Sequence, residues 1–415
     1  MNLILFDHPV LRNNLKPFTF TRPVAGIRCG IYTLGEKWHN HLASMTDISQ
    51  TSYLTERYLS EKYPLIIEED NLLVNASYCA NSPLAEEVSA LQKEQMLVQD
   101  GQLIAARISG NSLLRMAEEE QYEVVYRQLE QAVTGFEKKE HQHTSILLTH
   151  VWDIFLQNGD QITADFEYVR QGRSSQEIHD PHTIVYGDKH QIFIEEGVSI
   201  RASILNAENG PVYIGKNATV HENALIKGPF ALLEGSHVNA GSKIREATTI
   251  GPFSKLGGEV KNVVVFGNSN KGHEGFLGNA VIGEWCNFGA DTNASNLKNN
   301  YKPVKVWNYG KRAMEDSGEL FCGLIMGDHS KCGINTMFNT GTVVGVSANI
   351  FGCGYPPTFI PSFTWGGIEE SSIYQVDKAL EVAQNVMQRR GLKLSAAEEF
   401  ILRHIAEQRP QELKV

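Results

Sequence analysis

No run of about 18 apolar residues occurs in the 415-residue sequence, which excludes a membrane-spanning helix of the usual kind. Basic residues are in deficit, with 37 Lys plus Arg against 48 Asp plus Glu and a formal charge of −11 at pH 7. A sequence-independent nucleic-acid binder carries a basic face, so that class falls away. Cysteine is scarce: the six (29, 79, 286, 322, 332 and 353) show no CxxC spacing. Scattered thiols of this kind suit the reducing cytoplasm rather than a disulfide framework. The opening MNLILFDHP has too short an apolar stretch, followed at once by charge, for a signal peptide, and it reads as a first β-strand. Hydrophobic residues at 42% and charged residues at 20% give an ordinary globular balance, long enough for two or three domains. A cytoplasmic protein is expected.

What the sequence has in quantity is a period of six. Ile214, Val220, Ile226, Leu232, Val238, Ile244, Ile250 and Leu256 recur without a slip. Four residues after most of them stands a small or hydroxylated residue: Ala218, Ala224, Ser236, Ser242, Thr248, Ser254. The period appears earlier at Ile194 and Ile200, and returns at Ile282 and Phe288, then from Met326 through Cys332, Phe338 and Val344 to Ile350. Neither an amphipathic helix nor an alternating strand has this period. A hexapeptide-repeat, left-handed parallel β-helix does: about three hexads close one triangular coil, the aliphatic residue points inward, and coils stack about 4.8 Å apart. Such a solenoid touches only its neighbours and needs caps. From Asn293 to Leu320 the hexads give way to a long polar stretch, the kind of loop that carries function.

Three units follow. Residues 1–175 read as an α/β domain, with strands expected at Leu3–Phe6, Leu72–Val74 and Leu103–Ile108, and helices over Pro83–Leu97 and Leu113–Leu129. The polar Glu137–His143 reads as a linker or helix end. Residues 180–365 form the β-helix, and 370–415 a C-terminal helical extension. In that extension Val376, Ala379, Leu380, Ala383, Val386 and Met387 follow helical spacing up to Gly391. Ser395 and Glu398 have the capping-box spacing of a second helix before Pro410. These helices are expected to cap the prism or pack on a neighbouring subunit.

Lys261 to Lys302 is the chemically richest stretch. His273 sits in KGHEG, where glycines let a ligand approach the backbone, and an imidazole near neutral pKa is a natural general base. Lys261, Lys271, Lys298 and Lys302 are candidates to hold a phosphate, and Asn287 to bond sugar hydroxyls. Against this, single His residues on a β-helix are mostly surface decoration, and Asn and Gly are common in its turns.

The KGH element, Phe276, LGNAVIGEWCNFGA (277–290), Asn296 and Lys302 resemble the acetyltransferase half of the bifunctional family that makes UDP-N-acetylglucosamine, the glucosamine-1-phosphate N-acetyltransferase/uridylyltransferases. GPFALLEGSHV (228–238) and the order of the three units are similar too. The resemblance implies His273 as the base that takes a proton from the attacking amino group. Lys261 would bind the sugar phosphate, Asn287 the sugar, Ala290 and Asn296 the acetyl-CoA, and Lys302 the phosphate side. Phe276 stands where the family has Tyr, so that hydroxyl is absent. The family's phosphate-binding Arg has two nearby counterparts, Lys243 and Arg245, and a Ser of its acetyl-CoA hexad is Ile334 here. A homotrimer with acetyl-CoA between prisms is implied, acting on small molecules, with no nucleic acid or membrane partner.

The first domain departs from the pattern. In place of a Gly-rich loop it has Phe6-Asp7-His8-Pro9, Arg12, Lys16-Pro17, Thr21-Arg22-Pro23 and Arg28. This resembles a divergent nucleotidyltransferase branch joined to such β-helices. Arg12, Lys16, Arg22 and Arg28 are candidates to neutralise nucleotide phosphates, or else they form a solvated loop. The family's Mg²⁺ ligand is an Asp after a central strand, where this chain has Asn75, a poorer ligand; Asp7, Asp153 and Asp165 are alternatives, and the metal ligand stays unassigned. Uridylyl transfer from UTP is the implied second activity. Three other readings stand beside the bifunctional one. They are a nucleotidyltransferase whose β-helix serves only oligomerisation or regulation, a zinc hydratase for which His221, His237, His273 and His329 lack a close HxxxxH pair, and a scaffold without activity. A 4-amino sugar nucleotide is an alternative acceptor on such a prism.

Overall fold

The computed structural model describes residues 1–415 except 115, 117, 118, 414 and 415. Its first unit is built on one six-stranded sheet. The strands are β1 (Asn2–Phe6), β2 (Gln50–Leu54), β3 (Asp70–Asn75), β4 (Gln95–Gln99), β5 (Gln102–Ser109) and β6 (Glu137–Glu140), in the order β2-β1-β3-β5-β4-β6. β1 runs parallel to β2 and β3, whereas β5 is antiparallel to β3 and β4. Both faces of β1 are covered, which is why it reads as a continuous apolar run: Leu3 and Leu5 join one core, Ile4 and Phe6 the other. Helices α1 (Pro9–Asn14), α2 (Leu34–Ala43), α3 (Ser82–Ser89), α4 (Gly110–Leu113), α5 (Tyr122–Val133) and α6 (Asp153–Val169) complete the unit.

Three local expectations shift here. The helix expected over Pro83–Leu97 stops at Ser89, and Met96–Val98 is recruited into β4 because pairing with β5 buries it. Leu113–Leu129 is two helices rather than one, and its positions 115, 117 and 118 lie outside the described residues. Glu137–Glu140 is an edge strand; its charged side chains suit an edge that only β4 pairs.

The hexads behave as their period requires. Ile214, Val220, Ile226, Leu232, Val238, Ile244 and Ile250 are fully buried and Leu256 is 1% exposed. Their strands stack in parallel, Val220 on Val238 and Val238 on Leu256. The small partners are buried as well, and a hydroxyl there ties coil to coil: Ser236 Oγ donates to Gly251 O at 2.8 Å. The abundant asparagines turn corners, with positive φ at Asn217 (55°), Asn223 (63°) and Asn268 (53°). The α/β domain, the β-helix and two C-terminal helices stand in the expected order.

The polar stretch that interrupts the hexads is a hairpin, Lys305–Asn308 antiparallel to Ala313–Asp316. It reaches the first unit: Tyr309 meets the Phe20 ring edge-on at 5.2 Å, and Asn308 donates to Asn14 at 3.1 Å. Helices α7 (Val376–Gln388) and α8 (Ala396–Glu412) follow, α8 opening on the expected capping box and running on through Pro410. They fold back into the seam of their own chain, where Ile401, Leu402 and Ile405 join one core with Leu15, Phe18 and Val346. Among the described residues no helix is long and apolar enough to cross a membrane.

Candidate active site

At the corner that precedes Phe276–Glu284, a strand of the β-helix, the KGHEG turn presents His273 to solvent. Lys261 lies beside Gly278 in the parallel register, one coil away. A Cβ on Gly278 would lie 2.6 Å from the Phe276 ring and 2.8 Å from the Asn296 amide, so these two side chains converge over a floor only glycine leaves open. Asn296 is oriented by Asn279 at 2.8 Å, and the Phe276 N–H donates to Asn293 at 2.8 Å. His273, Lys261, Phe276 and Asn296 thus share one flank of three consecutive coils.

The remaining expected residues are spread around this flank. Ala290 follows Phe288 as His273 follows Lys271, so it marks the same corner one coil on; exposed Ile334 marks it again after Cys332. Asn287 is exposed in the neighbouring sheet, paired with Asn270 and Lys331. Lys302 is exposed in the loop beyond. Of the two candidates for the family's Arg, Arg245 stacks under Lys261, since Ile244 pairs with Val260; it also meets Glu259 at 3.4 Å. Lys298 is turned inward to Pro303 O at 2.8 Å. Lys271 is not a surface phosphate ligand at all, being 3% exposed inside the prism. Sequence reasoning also missed Asn239, which donates to Gly272 O at 2.7 Å under the His273 turn. His221 and His237 come together, ring nitrogens 3.4 Å apart, although no HxxxxH spacing announces them.

The first domain arranges its basic residues otherwise than as a solvated, phosphate-facing loop. Arg12 is 1% exposed, with its guanidinium bonded to Asp7, Thr19 O, Arg22 O and Tyr58. Arg22 bonds Asp328 at 2.5 Å and Glu284 at 3.1 Å across the seam, and these carboxylates hold its pKa up against burial. Arg28 donates to Phe266 O at 3.3 Å and to Ile31 O. Lys16 lies 5.0 Å over the Phe20 ring, its pKa pushed down to about 8 by burial and by Arg12.

The carboxylates are equally committed. Asp7 accepts from Arg12, Thr55 and the Val24 N–H, and Asp165 from Lys37 and the Ile31 and Tyr32 N–H groups. Asp153 accepts from the Thr149 and His150 N–H groups that precede its helix, and Asn75 is bonded to Ser77 N and Leu103 O. Among the described residues no three His, Cys, Asp or Glu converge, so these side chains as arranged do not fit a Mg²⁺ site.

Residues 3–174 match the family model described as sugar nucleotidyl transferase. The nucleotidyl transferase match therefore ends where the β-helix begins. Bifunctional protein GlmU of Methanocaldococcus jannaschii is 36% identical over 150 residues, covering 30% of this chain and 35% of that protein. The bifunctional sugar-1-phosphate nucleotidylyltransferase/acetyltransferase of Sulfurisphaera tokodaii is 33% identical over 160 residues, 38% of this chain and 37% of that protein. The chain thus matches only about a third of the length of these relatives. Among solved structures, the polySia specific acetyltransferase NeuO aligns at 14% identity and a TM-score of 0.26, covering 46% of this chain and 85% of that one, too loose a likeness to carry an argument.

Proposed function

We propose that the protein transfers the acetyl group of acetyl-CoA to the amino group of glucosamine-1-phosphate, coupled to uridylyl transfer from UTP that gives UDP-N-acetylglucosamine. The single observation that carries the acetyl half is the exposed, glycine-flanked His273 beside Lys261, Phe276 and Asn296. Acyl transfer from a thioester needs an amine stripped of its proton and a fixed electrophile. His273 takes that proton. Lys261, with Arg245 stacked beneath it, holds the sugar phosphate, with Lys302 on the same charge; Asn287 bonds the sugar. Phe276 supplies an apolar wall and no hydroxyl. Asn296 and the Ala290 corner face acetyl-CoA. A cytoplasmic homotrimer, acetyl-CoA lying between prisms, and the functional division at 1–175, 180–365 and 370–415 belong to the same proposal.

The uridylyl half rests on the family match over 3–174 and on the bifunctional relatives. Mg²⁺ would serve that step with the nucleotide phosphates as its natural ligands, since Asp7, Asn75, Asp153 and Asp165 are otherwise bonded. The internal bonding of Arg12, Arg22 and Arg28 favours a second reading, in which the first domain braces the β-helix and only acetyl transfer occurs.

One assay tests all of this. Acetyl-CoA and glucosamine-1-phosphate are given to the wild type and to His273→Ala, thiol release is followed, and UTP with Mg²⁺ is then added. Thiol release that depends on His273, followed by pyrophosphate, supports the coupled activity. Thiol without pyrophosphate supports the bracing reading. Pyrophosphate from N-acetylglucosamine-1-phosphate without thiol release makes the β-helix structural.

A further inference from the structure

Along one edge of the prism the inward positions are Val220, Val238, Leu256, Lys271, Phe288, Cys332 and Ile350. Six are apolar or thiol; one is a lysine. Lys271 pairs with Leu256 below and, by the register of Asn270 with Asn287, meets Phe288 above. Its ammonium is buried and donates to Gly257 O at 3.0 Å and His273 O at 2.9 Å. Burial pushes its pKa down to about 8, against the pull of Glu274 and Asp291.

Packing alone does not account for this residue. An aliphatic side chain would satisfy the hexad without the desolvation cost of a buried ammonium, and a polar group kept inside against that cost usually has a functional reason. What Lys271 touches supplies one. Its bond holds the carbonyl of His273 itself, while Asn239 holds the preceding carbonyl, of Gly272, from outside the prism at 2.7 Å. Both peptide groups that set the direction of the His273 side chain are therefore fixed by donors from beyond the strand ladder. The fit is close: a Cβ on Gly258 would lie 3.0 Å from both Lys271 Nζ and His273 O.

We propose that Lys271 is a positioning residue for His273, an internal strut that fixes the turn so that the imidazole faces the acceptor amine. This rests on the reading of His273 as the base. A misplacement of about 1 Å can cost about 10²-fold in rate, so Lys271→Met should lower kcat for acetyl transfer by about 10- to 100-fold. The KM values should stay nearly unchanged, because Lys261, Asn287 and Asn296 are untouched, and Tm should change little, since relief of a buried ammonium offsets the loss of its bonds to the Gly257 and His273 carbonyls.

The test is a double-mutant cycle of Lys271→Met with His273→Ala, read by thiol release, together with the imidazole NMR signals of His273 in the wild type and Lys271→Met. If Lys271 acts through His273, its substitution changes nothing further in the His273→Ala background, and the His273 signals of Lys271→Met shift or broaden. Wild-type kcat in Lys271→Met, or equal losses in both backgrounds, overturns the proposal. A loss of kcat that merely follows a loss of Tm does so too. If His273→Ala itself leaves turnover intact, or no acetyl transfer occurs, the reading of the base fails separately. The NMR comparison then decides alone whether Lys271 orients this side chain, and unchanged His273 signals overturn it.

Discussion

Removal of the imidazole at position 273 should slow acetyl transfer by about 10²–10⁴-fold without abolishing it, since binding and alignment of the two substrates remain. Initial rates of thiol release at saturating substrates measure this. Lys261→Ala should instead raise KM for the sugar phosphate with a smaller effect on KM for acetyl-CoA, because the proposal assigns its ammonium to the phosphate and Asn296 to acetyl-CoA. At this scale the sequence was informative where a residue's chemistry announced itself and silent where a fold had to consume it. His273 between glycines was visible. The burial of Lys271 was not, because an ammonium within an aliphatic period reads as surface. Arg22 could not be read either: its partners, Glu284 and Asp328, lie 262 and 306 positions away.

Elements were legible in proportion to their periodicity. The hexads fixed their own inward face, because only residues that point into the prism are obliged to be aliphatic. The C-terminal helices were equally clear, and Ser395→Ala, which removes the α8 cap, should cost about 0.5–2 kcal/mol of stability by urea unfolding. Ile244→Ala, at a fully buried inward position, should cost more, about 2–5 kcal/mol in the same measurement. Met96–Val98, by contrast, is too short an apolar run to tell strand from helix, and pairing with β5 decided it. The hairpin at 305–316 hid among polar residues because its apolar members, Val306 and Trp307, serve a surface the hexads do not reveal.

For the whole molecule, a buried ion pair crosses the seam between the first domain and the β-helix. Arg22→Ala would leave Asp328 buried without its cation, a change that should cost about 3–5 kcal/mol in chemical unfolding. His329 adds a pH dependence at the same place. Burial lowers its pKa from 6.5 to about 3, with Lys331 acting in the same sense, and its Nδ1 has no partner. The folded protein therefore keeps this ring neutral while the unfolded chain protonates it. Its contribution to stability is full above pH 6.5 and is lost on acidification from there towards pH 3. Unfolding curves at pH 7.5 and pH 5 should show a smaller acid loss in His329→Gln than in the wild type.

The return of α8 into that seam governs the order of events during synthesis. Ile401, Leu402 and Ile405 share a core with Leu15 and Phe18, which are made far earlier. Until α8 is made, the prism can stack and the first sheet can pair, but the face that these three side chains cover stays open and apolar. A nascent chain stalled before position 400 should therefore expose an apolar face of the kind a hydrophobic chaperone binds.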